Sequence, residues 1–261
     1  MVQAISGFEA QKGRKKLALD GFEYWKTVYL GPATPDTTWE QTSLERRPAQ
    51  AFLVEQIPES VVEPHFHCVN QFQVVVQGEG TFGRHPIRPG AVHYSGAYTG
   101  YGPIVAGKEG LAYFTLRAQC DFGAHYLPQS KSELKDVERQ FILADDAHLS
   151  SATELSGRLG AVLETIIQPE DTGLAGYLAR LGPGAKLTPP SPSSGGGQYW
   201  VVVSGELRHG GEELPRLSCL FVAPNDPAPP IEAASRGAEV LVLQYPRSPE
   251  PQPRVAGRPT A

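Results

Sequence analysis

The chain has 261 residues, 40% hydrophobic and 20% charged, enough for one large core or two compact ones, and its 28 Gly and 24 Pro punctuate short runs of Val, Leu, Phe and Tyr. A net charge of -5, a pI near 5.8 and the absence of any Lys/Arg stripe argue against nucleic acid as a partner. Three widely separated cysteines, Cys68, Cys120 and Cys219, match neither a disulfide framework nor a zinc knuckle, and no apolar run is long enough to span a membrane, so the expectation is a cytoplasmic protein in a reducing compartment.

Taken in chain order, Arg14-Lys15-Lys16 reads as a solvated strand end, and the alternation over Lys15 to Leu30 predicts one or two leading strands. Apolar runs follow at Ala51 to Ile57, Phe72 to Val76, Ala91 to Tyr94 and Leu111 to Leu116, separated by Gly and Pro turns. Ser130 and Glu133 then form a candidate capping box, with Leu134, Val137 and Phe141 at helical spacing, which predicts one linker helix. The same strand grammar returns at Gly176 to Leu181, Tyr199 to Val203, Leu217 to Val222 and Ala238 to Gln244.

The two halves repeat in detail. Gln71 to Gly80 reads QFQVVVQGEG and Gln198 to Leu207 reads QYWVVVSGEL, with six of ten positions identical at an offset of 127. That offset also places Pro103-Ile104 on Pro230-Ile231, Gly110 on Gly237 and Leu116 on Leu243. A duplicated unit of short strands predicts an all-β protein of two tandem barrels with little helix. The expected division is residues 1–145 for the first barrel with its leading strands, 146–247 for the second, and 248–261 for a Pro-rich loose arm.

The chemistry concentrates in the first half. His65 and His67 flank Phe66 in a strand whose parity puts His65, His67, Gln71 and Gln73 on one face and Phe66, Cys68 and Phe72 on the other. Neutral imidazoles side by side suit a divalent cation, and they equally suit a hydrogen-bonded polar cavity. This stretch resembles the cupin superfamily, whose first motif runs Gly, His-x-His, three residues, Glu, six residues, Gly. Here His65, His67 and Gly78 match, while Gln71 stands where the family has Glu. Pro89-Gly90-Ala91 opens a second motif in which Tyr101 stands at the place of the family's last His. The resemblance implies two jelly-roll barrels and a divalent metal, zinc, nickel, manganese or iron, held by His65, His67, Gln71 and Tyr101. A neutral Gln weakens such a site unless a phenolate supplies charge, and the missing carboxylate counts against iron-dependent oxygen chemistry.

In the second half the positions matching His65, His67 and Gln71 are Pro192, Ser194 and Gln198, so that barrel is expected to be structural. Gln73 and Tyr98 are expected to line the pocket of the first barrel, with Tyr94, Tyr98 and Tyr101 among glycines at its rim. His85, His125, His148 and His209 read as surface residues, and the side of the strand that His93 occupies depends on a register the sequence leaves open. There is no nucleophile elbow, phosphate loop or dinucleotide fingerprint. Two functions remain: a metal-dependent cupin enzyme of dioxygenase, isomerase or lyase type acting on a small organic acid or aromatic compound, and a metal-free binding protein for a small metabolite. The resemblance, with the apolar strand at Leu241 to Leu243, adds the expectation of a homodimer.

Overall fold

A computed structural model describes residues 2–19, 22–32, 39, 41–121 and 123–254. Nearly all of its regular structure is β. The first large sheet contains β2 (Lys15–Leu19), β3 (Phe22–Leu30), β4 (Gln50–Gln56), β5 (Val61–Val62), β7 (Gln71–Phe82), β8 (His85–Ile87), β9 (Val92–Ser95), β10 (Ile104–Arg117) and β12 (Phe141–Ala144). Its hydrogen-bonded order is β12-β9-β7-β10-β4-β3-β2, with β5 on β10 and β8 on β7. A separate ribbon pairs β6 (His65–Phe66) with β11 (His125–Tyr126). The second sheet runs β1 (Gln3–Ile5), β18 (Cys219–Val222), β16 (Gln198–His209), β19 (Ile231–Gln244), β14 (Ala175–Leu181), β13 (Ala161–Ile167), with β15 (Lys186–Leu187) on β19 and β17 (Glu212–Pro215) on β16.

Two compact units result, one of residues 14–145 and 249–261, the other of residues 1–13 and 146–248. This corrects the expected boundaries at both ends. The first thirteen residues belong with the second barrel, because β1 pairs with β18 and the Gly7 amide donates to the Ser218 hydroxyl at 3.0 Å. The described part of the tail is no loose arm. The Glu138 amide donates to the Gln252 carbonyl at 2.9 Å and Val137 bridges to Pro253, so the tail joins the first unit. Residues 255–261 lie outside the described residues.

The linker helix is also corrected. Only one turn of 3-10 helix forms, at Lys131–Glu133, and Leu134 already has extended backbone. Glu133 turns its carboxylate to the imidazole of His125 at 2.7 Å, and Val137 and Glu138 take β-type partners from the tail, so the helical spacing of Leu134, Val137 and Phe141 is overridden by pairing. The capping box that does form is Ser151 with Glu154, on the short helix Ala152–Ser156.

The offset of 127 recurs in the strand bounds themselves: β7 and β16, β9 and β18, and β10 and β19 each begin and end at equivalent positions. Its glycines have a steric cause. Gly78 and Gly205 have φ of +74° and +67°, and a Cβ on either would lie 2.1 Å from the carbonyl oxygen of Gly110 or Gly237. Only glycine allows the close approach that shifts the register of the long central hairpin in each unit.

Along β10 the alternation sends Phe114 and Leu116 to one side and Tyr113, Thr115 and Arg117 to the other, where they line a cavity. The equivalent residues of β19 are Val240, Val242 and Gln244, and Trp200 stands where the first barrel has Gln73. Trp200, Val240 and Val242 are fully buried in one apolar cluster with Ala179 and Leu220. The second barrel is therefore packed solid where the first is hollow. The run Leu241 to Leu243 is buried between β14 and β16 within its own unit, so it offers no surface for a dimer.

Candidate ligand-binding site

The cavity of the first barrel has a volume of about 220 Å³. Tyr24, Phe52, Val54, Val62, Tyr113 and Tyr126 give it an apolar and aromatic wall, and Lys26, Gln50, His65, His67, Gln73, Tyr101, Thr115, Arg117 and Asp121 give it a polar one. It is smaller than the roughly 300–1,000 Å³ usual for drug-sized ligands.

Four of the six residues singled out from the sequence meet here: His65, His67, Gln73 and Tyr101. The His65 and His67 rings are 5.3 Å apart, and Tyr101 lies 4.6 Å from His65, a contact held by the paired backbones of His65 and Tyr101. Gln71 is buried but does not line the cavity. Tyr98 is a correction. Its backbone is left-handed at φ +61°, its amide donates to the His67 carbonyl at 2.7 Å, and its ring packs with Phe66 and Cys68 on the opposite side of the His-x-His segment. His93 is fully buried, bonded through Nδ1 to Gln73 Oε1 at 2.9 Å and packed against Phe82, Tyr101 and Phe141.

The residue that sequence reasoning missed is Arg117. It is 3% exposed at the end of β10. Nε and an NH2 nitrogen donate to Gln71 Oε1 at 3.1 and 3.0 Å, and the other terminal nitrogen donates to Gln50 Oε1 at 2.8 Å. That NH2 nitrogen also lies 3.1 Å from both Nδ1 and Nε2 of His67, equal distances that put it over the ring face rather than along one lone pair. The available signal was parity, since Tyr113, Thr115 and Arg117 continue one face past the end of the apolar run. Asp121 was missed too. Its Oδ2 accepts from His67 Nδ1 at 2.5 Å.

Burial sets the protonation states. It holds His65 down to about 3, helped by His67, and His93 down to about 3. His67 is held to about 4 by burial and the Arg117 charge, against the opposing pull of Asp121. All three imidazoles are neutral near pH 7. Burial raises the Tyr101 phenol well above its ordinary range, leaving a hydroxyl that accepts a short hydrogen bond from Gln71 Nε2. Burial and then Arg117 lower Lys26 to about 8.

These states decide how well a dication fits. In its favour, His65 Nδ1 is 2.7 Å from the Glu63 carbonyl and His67 Nδ1 is held by Asp121, the way metal-binding imidazoles are oriented from behind. Against it, the Gln71 oxygen already accepts twice from Arg117, Tyr101 is a neutral phenol, and a fixed guanidinium charge sits 3.1 Å from His67 Nε2. Among the described residues no group of three or more His, Cys, Asp or Glu is gathered for a metal. The set His65, His67, Gln71 and Tyr101 does not fit a divalent ion, because it adds no negative charge and confronts the ion with a positive one.

Comparison with solved structures gives the fold a name. A dioxygenase candidate from Nostoc punctiforme superposes over 100% of this chain and 87% of its own, with a TM-score of 0.63 at 10% identity. The fold is that of a double cupin. Oxalate decarboxylase from Bacillus subtilis, a protein with Mn(II) centres, matches over 94% of this chain and 78% of the decarboxylase (TM-score 0.53, 10% identity). A bacterial pirin from Escherichia coli, in complex with nickel(II), matches over 95% and 100% (TM-score 0.57, 13% identity). No protein-family profile and no curated protein sequence matches this chain. Among the described residues no helix is long and apolar enough to cross a membrane.

Proposed function

We propose that the N-terminal barrel binds a small organic monoanion, a carboxylate with an apolar or aromatic body, without a metal ion. The observation that carries this reading is the charge of the cavity lining: Lys26 and Arg117 are positive, Asp121 is negative, and the histidines are neutral. The two cations flank one ring, with Lys26 Nζ 4.2 Å and Arg117 Cζ 5.6 Å from the Phe52 centroid. A carboxylate between them meets a planar donor and an ammonium, while Phe52, Tyr113 and Tyr126 cover its body. His65, Gln73 and Tyr101 supply neutral polar contacts that orient it.

A second reading, a metal-dependent enzyme, draws support from the orientation of His65 and His67 from behind and from the manganese and nickel named for the structural neighbours. Two measurements separate the readings. Elemental analysis of untagged protein is expected to find no stoichiometric metal, and one metal per chain that disappears in the H65A/H67A double variant would favour the enzyme. Thermal shifts with acetate, lactate and benzoate, each beside its amide, are expected to reveal stabilisation by at least one carboxylate and not by its amide, unchanged by EDTA. No response to any of the acids would sink the anion reading.

A further inference from the structure

On the far side of the His-x-His segment, Cys68, His125 and Glu133 stand in line. The sulfur of Cys68 is 3.4 Å from His125 Nε2, and Glu133 Oε2 is 2.7 Å from His125 Nδ1. The two contacts use opposite ring nitrogens, so the three groups form a relay and do not converge on an ion. The imidazole is fixed from two directions. Its residue pairs with Phe66 in the β6–β11 ribbon, and its ring stacks on the Phe66 ring at 4.8 Å with planes 15° apart. A carboxylate accepting from Nδ1–H selects the tautomer with a bare Nε2, the state that takes a proton from a neighbouring thiol.

The surroundings suit reaction more than packing. Cys68 is only partly buried, and it opens on a cavity of about 360 Å³, distinct from the ligand pocket, whose charged lining includes Arg47, Lys135 and Glu250. Tyr98, held in its left-handed conformation, presents its ring to the same space, and Lys135 Nζ lies 4.8 Å from that ring. A thiol attacks as its thiolate, so Cys68 needs a base to take its proton.

We infer that Cys68 is a nucleophilic thiol, with His125 as its base and Glu133 as the group that orients the base, and that this cavity takes small electrophilic carbon compounds. In the reaction a bond forms between Cys68 Sγ and the electrophilic carbon, and the bond from that carbon to its leaving group breaks, the electron pair departing with the leaving group. The thiol proton passes to His125 Nε2, and the imidazolium is stabilised by Glu133 before it returns the proton to solvent.

The test is alkylation of the intact protein with iodoacetamide, which forms the S–C bond and releases iodide, located by peptide mass mapping. Cys120 and Cys219, 1% and 0% exposed, are the internal controls. At about pH 7, Cys68 is expected to react first, H125A to slow it by at least about tenfold, and E133Q by a smaller factor. Glu133 is a surface side chain, so E133Q reads the relay even if H125A unfolds. As the pH is raised and a growing share of the thiol ionises unaided, the variants are expected to converge towards the parent rate, a convergence that mere loss of packing does not give. Equal Cys68 rates in the parent and E133Q with H125A folded and unchanged, or a rate gap that persists at high pH, would overturn the proposal.

Discussion

Replacing Arg117 with glutamine is expected to weaken carboxylate binding by at least about tenfold while leaving the barrel folded. The second barrel shows why the fold tolerates the change. Its residue equivalent to Arg117 is Gln244, which accepts from Gln198 Nε2 at 2.9 Å, and Gln198 is the equivalent of Gln71. R117Q thus introduces an amide pair that the same scaffold already carries 127 residues later, without stranding a buried charge. Binding has no such substitute. Charge-assisted hydrogen bonds contribute about 1.5–3 kcal/mol each, so losing the guanidinium weakens a carboxylate by about tenfold to more than a hundredfold. Calorimetry with whichever acid gives the largest thermal shift checks this. Retained affinity in folded R117Q would mean that the anion sits elsewhere. The same variant bears on the metal question, since removal of the guanidinium from His67 should make the His65 and His67 pair more receptive to added zinc or nickel.

The second large effect is acid destabilisation of the first barrel. His65, His67 and His93 have folded-state values of about 3, 4 and 3, against about 6.5 in an unfolded chain. Between those limits the unfolded state binds more protons than the folded one, so stability rises with pH and is lost as pH falls below about 6.5. At pH 5 each histidine costs about 2 kcal/mol, and three together cost on the order of 4–6 kcal/mol, comparable with the whole stability of many domains. Amide exchange in β7, β9 and β10 reads the first barrel separately from the second. Protection there is expected to fall steeply from pH 7 to pH 5, with H93F showing a slope shallower by up to one proton. A flat profile over that range would show that the imidazoles are not held neutral by burial. The second barrel, whose inward face is Trp200, Val240 and Val242, should show no matching loss.

Much of this architecture was legible because it rests on local rules. Period-two alternation gave the strands, and the repeat gave their register, since the glycine pairs Gly78 with Gly110 and Gly205 with Gly237 are demanded by backbone contact and so recur at a constant spacing. Parity likewise separated His65 and His67, which line the cavity, from Phe66 and Cys68, which pack with Tyr98, but it also put Gln71 on the cavity side, and the lining does not include it. The linker helix failed for a nonlocal reason. A capping box at Ser130 and Glu133 is worth little when His125 and the tail offer stronger partners.

The sequence by itself therefore determined the all-β class, the repeated hairpins and the face on which the two histidines lie, because each depends on neighbours a few residues apart. Only the tertiary structure decided what those histidines face. Arg117 is 50 residues from His67 and Asp121 is 54, and the sheet closes both onto one imidazole. That closure buries the ring, keeps it neutral and sets a guanidinium beside it, three things no local pattern around His-x-His encodes.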